Sequence, residues 1–207
     1  PLGRGAITGA WGVAAAVLAC AGSVAGQSGD PLAGLSLPET PVRGTTLGNG
    51  LRVFVEEDRT RPRVAVNLRY HVGSADDPPG RSGLAHLTEH CMFAGATRHV
   101  AAGALERHLL RAGALGVNGT TYPDHTDYYA VVPSRNLATV LWLEAERMAT
   151  LLEGLDGPTV ASARGAVLAE WRTKVGRAAA GGVRRWLEDA LYPPGHRYRR
   201  VPEDPDE

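Results

Sequence analysis

The chain has 207 residues, 43% of them hydrophobic, with 22 Lys+Arg against 22 Asp+Glu and a formal net charge of zero. That length holds one large domain or two small ones around a substantial core. The balanced charge gives no electrostatic basis for nucleic-acid binding or for adhesion to an anionic membrane, and two cysteines, Cys20 and Cys91, exclude a Cys-rich zinc site.

Residues 1–26 read as a secretory signal. Arg4 is a short basic segment, Ala10 to Ala21 is an apolar run, and small Ser23 and Ala25 precede Gly26. The run is too short for a membrane span. A buried Ala-rich helix is the alternative reading. Val17-Leu18-Ala19-Cys20 also resembles a bacterial lipobox, which would lipidate Cys20. Both cleavage modes stay open. The expected location is therefore outside the cytoplasm, either periplasmic or lipid-anchored at the bacterial envelope, with Cys20 the only route to a membrane.

Residues 27–42 are rich in Ser, Gly, Asp and Pro without periodicity, and are expected to be a linker. The folded domain should occupy 43–207. Thr45-Thr46-Leu47 and Leu51 to Glu56 flank Gly48-Asn49-Gly50, which predicts a hairpin. Val64 to Val72 alternates and predicts a third strand; Asp76 to Gly80 is a loop. A helix should start at Arg81 or Ser82, with Ser82 as its N-cap, and end near Gly95. Residues 101–112 predict a second helix, 114–121 and 126–132 two strands, and 134–152 a helix capped by Ser134. Pro158 suits the first turn of the next helix, which runs through Glu170 and Trp171. A further helix is expected at 181–191, then a turn-rich tail. This order implies an α+β fold, an antiparallel or mixed sheet with helices packed on one face.

The chemistry concentrates in His86-Leu87-Thr88-Glu89-His90. Residues i and i+4 share a helix face, so His86 and His90 would aim at one point with Glu89 beside them. Two imidazoles can hold zinc, and a neighbouring carboxylate can take a proton from water. The order H-x-x-E-H is the inverzincin signature. An exposed polar helix face is the plainer alternative. A catalytic zinc normally has a third protein ligand. Glu170 is the candidate, on a helix whose Val160, Ala163, Val167, Leu168 and Trp171 would part-bury it. On residue physics alone, a half-exposed glutamate at the edge of that stripe is the plainer reading.

Several stretches in order give the chain a family resemblance. TTLGNGLRVFVEED, GRSGLAHLTEHCMFAG, LLRAGALGVNGTTYPDHTDYYAVVP, RGAVLAE and LYPPGHRYRR are similar to successive segments of the pitrilysin-type inverzincin zinc metallopeptidases. That family includes insulin-degrading enzyme, the mitochondrial processing peptidases and bacterial zinc proteases. The match spans roughly residues 43–200.

The resemblance implies a pitrilysin-like N-terminal domain with His86, His90 and Glu170 as ligands of one Zn2+ and Glu89 as catalytic base. It implies that Asn118 lies on a strand that pairs with the backbone of an extended peptide substrate. The reaction would be endopeptidase hydrolysis by a metal-activated water. It further implies a second homologous half, or a partner subunit, beyond the domain that closes here. Two positions depart from the family. Ala163 stands where a second glutamate is common, and His196-Arg197-Tyr198 replaces a histidine–proline–tyrosine loop. A non-catalytic homologue serving as partner or scaffold of an active peptidase is the rival reading; the whole H-x-x-E-H motif argues against it. His71, His99, His108 and His125 read as surface or loop residues. Cys91 reads as core-facing, and Trp142, Trp171 and Trp186 read as core.

Overall fold

A computed structural model describes residues 41–174, 183, 186, 187 and 189–199. The expected leader, Cys20 and the linker up to residue 40 lie outside the described residues. The chain divides into two compact units, Pro1–Asp58 and Arg59–Glu207.

In the first unit, β1 (Val42–Thr46) and β2 (Arg52–Glu56) form an antiparallel hairpin with Val42 opposite Glu56 and Thr46 opposite Arg52. The turn lies at Gly48-Asn49-Gly50, as expected. Gly50 has φ +88°, a conformation only glycine enters freely. The Leu51 N–H donates to Asn49 Oδ1 at 3.1 Å, the local bond that makes asparagine a turn residue.

In the second unit, β3 (Arg63–Tyr70), β4 (Leu115–Thr121) and β5 (Thr126–Pro133) form an antiparallel sheet in the order β3-β5-β4. Along β3, exposed and half-buried residues alternate one by one, the period of a strand covered on one face. Central β5 is mostly buried, through Thr126, Asp127, Tyr128, Ala130 and Val132. The pairing of β4 with β5 shifts between Leu115 and Asn118, and among the described strands the other edge of β4 is unpaired.

The sheet is accompanied by α1 (Leu84–Ala94), α2 (Leu105–Arg111), α3 (Leu137–Gly154) and α4 (Gly157–Lys174), with further helical residues at 183, 186, 187 and 189–191. Leu105 and Leu109 of α2 and Val140 and Leu143 of α3 meet Ala130 and Val132 of β5, with Val66 and Val117 packed alongside. A second cluster joins Met92 of α1, Tyr128 of β5 and Leu151 of α3, flanked by Tyr70 and Phe93. The result is the α+β architecture that the element order implies.

Several boundaries differ from expectation. The first helix begins at Leu84, and its leading N–H groups are held by Asp77, not by a serine at the boundary. α2 is shorter than 101–112, because residues 101–104 close a separate turn through Ala104 N–H to Ala101 O at 3.0 Å. Ser134 opens a 3-10 turn, Ser134–Asn136, and α3 starts after it. At the head of α4, Asp156 Oδ1 accepts from Thr159 N–H at 2.8 Å, so Asp156 is the cap and Pro158 lies in the first turn. Hydrogen bonding from the Thr159 side chain, and then from its N–H, lowers the pKa of the Asp156 carboxyl. Trp142 and Trp186 are exposed, contrary to the core reading: the Trp142 ring meets only the edge of the domain at His99, 6.2 Å between centroids, and stays about half exposed. The expected helix at 181–191 is helical wherever it is described.

Candidate metal centre and catalytic site

The site begins with the anchoring of α1. Gly83, at the boundary, has no side chain to cap the helix. Asp77, 5% exposed, reaches back instead: its two oxygens accept from the N–H groups of Gly83 and Ala85, each at 2.8 Å. A carboxylate at a helix N-terminus satisfies orphan donors and suits the helix dipole. This anchors the first turn of α1, the turn that carries His86.

His86 and His90 then point to one place. Their Nε2 atoms are 3.2 Å apart. α4 packs along α1 and carries Glu170 to the same point. Its Oε2 lies 3.7 Å from His86 Nε2 and 3.4 Å from His90 Nε2. Ala163 and Val167, both buried, seat α4 so that Glu170 is half-buried. The ligand atoms of the three residues all lie within 4.8 Å of one another, and among the described residues no other group of His, Cys, Asp or Glu gathers this way. Zinc bonds to nitrogen and carboxylate oxygen are about 2.0–2.2 Å, so a tetrahedral site has ligand–ligand edges of roughly 3.3–3.6 Å. The three observed separations, 3.2, 3.4 and 3.7 Å, fall within about 0.1 Å of that range. The donor set of two imidazoles and a carboxylate is also a catalytic zinc set. The residues therefore fit a metal ion.

Glu89 lies on the same helix, one turn of side chains away, and is 8% exposed. Its carboxylate rests against β4. Thr121 Oγ1 donates to Glu89 Oε2 at 2.6 Å. Gly119 makes the approach possible. A Cβ there would sit 2.9 Å from Glu89 Cγ, from Glu89 Oε1 and from a Phe93 ring carbon, closer than packed atoms tolerate. Beneath this layer is a buried charged pair. Arg147 Nε donates to Glu144 Oε2 at 2.6 Å, and the Arg147 guanidinium carbon lies 4.2 Å from the Tyr128 ring centroid and 5.4 Å from that of Phe93. Burial pushes the Glu144 carboxyl above its ordinary value, and Arg147 pulls it part of the way back. Burial also raises the Tyr128 hydroxyl.

Asn118 is on β4 next to Gly119 and is exposed. Its Nδ2 donates to Tyr129 Oη at 3.3 Å, and its Oδ1 accepts from the Gly119 N–H at 3.0 Å. It belongs to the strand whose other edge is unpaired among the described strands and is not one of the three gathered ligand groups. His99 is held by Glu146, and His125 sits in the β4–β5 turn against Asp124; neither joins the cluster. Cys91 is buried, as expected. Ala163 is buried too, so a methyl group fills the place where the resembling family often has a carboxylate. Asp77, Gly119 and Thr121 were not singled out by sequence reasoning. Each acts on a residue that is distant along the chain or carries no motif of its own, so only the fold reveals the contact.

Residues 52–172 match the model of the insulinase family, peptidase family M16. Insulin-degrading enzyme of Bos taurus is 33% identical over 99 residues, covering 48% of this chain and 10% of that protein. Zinc protease PqqE of Helicobacter pylori is 36% identical over 107 residues, 51% of this chain and 24% of that protein. The crystal structure of a protease from Helicobacter pylori superposes with a TM-score of 0.71 at 28% identity, over 77% of this chain and 38% of that one. The chain thus spans well under half the length of these relatives. From the family match over more than half its residues, the chain belongs to the insulinase family of peptidases, family M16.

Proposed function

We propose that this chain is the metal-bearing domain of a zinc-dependent endopeptidase that hydrolyses extended peptides or small proteins. The observation that carries the reading is the meeting of His86, His90 and Glu170 at one point with Glu89 beside them on α1. In this reading those three residues hold one Zn2+. When bound, zinc lowers the pKa of a water toward neutrality and polarises the scissile carbonyl. Glu89 takes the proton of the attacking water and returns it to the leaving amine. The edge of β4 that is unpaired among the described strands supports backbone pairing with an extended substrate, and Asn118 on that strand would orient it.

A second homologous half or a partner subunit would complete the substrate chamber. The small share of each relative that the chain covers supports this. The leader-like residues 1–26 support export, to the periplasm or to a lipid anchor at Cys20. Among the described residues no helix is long and apolar enough to cross a membrane.

The test is cleavage of a quenched extended peptide by the zinc-loaded protein, its chelated form and its Glu89→Gln variant. Chelation should abolish turnover, and Glu89→Gln should abolish it with zinc retained. Equal rates for wild type and Glu89→Gln would overturn the reading.

A further inference from the structure

Glu89 is almost wholly buried, and a buried carboxylate is costly unless a donor satisfies it. The donor in this fold is the Thr121 hydroxyl, 2.6 Å from Glu89 Oε2. Thr121 is well placed to be rigid. It is the last residue of β4, opposite Thr126 in the sheet register. The turn that follows closes through Tyr122 N–H to His125 O at 2.8 Å. Thr126 is itself fixed by donation from its hydroxyl to Val72 O at 2.9 Å. A β-branched side chain on such a strand has little rotamer freedom, so its hydroxyl has one direction to offer. On its other side the Glu89 carboxylate meets the bare backbone of Gly119.

We propose that Thr121 is the positioning residue for Glu89. Its hydroxyl occupies Oε2 and holds the side-chain rotamer, while Oε1 lies beside Gly119, where no side chain covers it. Thr121 is not one of the three gathered ligand groups, and its bond to Glu89 is the route by which it acts. This inference rests on the peptidase reading for its kinetic consequence, but not for its geometric one.

The experiment compares Thr121→Val, which keeps the shape and deletes the donor, with Thr121→Ser, which keeps the donor. Zinc content, kcat and KM on the quenched peptide are measured, and crystal structures of all three proteins are compared. Misplaced catalytic groups cost roughly 10- to 100-fold in rate. Thr121→Val should lower kcat by about tenfold or more with KM and zinc content unchanged, and Thr121→Ser should restore most of it. In the crystals, Glu89 should hold one carboxylate position in wild type and Thr121→Ser and be displaced or split in Thr121→Val. An unmoved Glu89 in Thr121→Val overturns the proposal, whether or not the protein is a peptidase. So does an equal kcat loss in both variants, or a loss that appears in KM or zinc content. If wild type and Glu89→Gln turn over peptide equally, the peptidase reading fails alone, and the crystal comparison still decides the role of Thr121.

Discussion

Replacing Asp77 with alanine should show how strongly the start of α1 depends on one side chain outside it. The change deletes both acceptors of the Gly83 and Ala85 N–H groups, each bonded at 2.8 Å in a buried position. Hydrogen bonds to charged groups contribute about 1.5–3 kcal/mol each, and a lost helix cap alone costs about 1–2 kcal/mol. These overlap, since the two bonds are the cap, so the expected loss is about 3 kcal/mol. Asp77→Asn keeps one acceptor oxygen and should lose about half as much. Urea unfolding followed by circular dichroism reads the difference. In a thermal scan of a domain this size, the alanine variant should melt about 6–12 °C lower. Zinc affinity should fall with it, because fraying of the first turn frees His86. A loss under about 1 kcal/mol for Asp77→Ala would refute the capping argument.

Other perturbations follow from the same structure. His86→Ala and Glu170→Ala should each lose bound zinc by elemental analysis while circular dichroism stays unchanged; retained stoichiometric zinc would refute the ligand assignment. Arg147→Ala should destabilise by about 3–5 kcal/mol in urea, because Glu144 is left buried without its cation, and a loss under about 1 kcal/mol would count against that pair. Asp127 is bonded to the guanidinium of Arg69 at 2.7 and 2.8 Å, which holds its carboxyl below the usual range. A folded pKa below the unfolded value of about 3.9 gives stability that is present above that pH and lost as pH falls through the folded value. Arg69→Leu should therefore flatten the acid limb of the stability–pH curve below about pH 4, and an unchanged limb would contradict this.

Much of this was legible in the sequence because local signals are strong there. Asn49-Gly50 between alternating strands reads as a hairpin, and His86, Glu89 and His90 share a face on any helix drawn through them. The α+β class followed from the element order. What stayed hidden depends on contacts that no local motif announces, near or far in the chain. Asp77 caps a helix from a loop that ends in prolines, where no capping motif is written. Thr121 meets Glu89 only because β4 passes beside α1, and Gly119 reads as an ordinary strand glycine until that helix lies against it. Glu170 was an ambiguous glutamate by residue physics; α4 packing along α1 is what brings its carboxylate to the two histidines. Trp142 illustrates the opposite error, since helical spacing alone does not say which apolar faces find a partner.

The most direct test of the central claim is an anomalous difference map recorded at the zinc absorption edge from crystals grown with zinc. One strong peak per chain is expected, about 2.0–2.2 Å from His86 Nε2, His90 Nε2 and a Glu170 carboxylate oxygen. A map with no peak at that point, or with its peak on other residues, would contradict that claim.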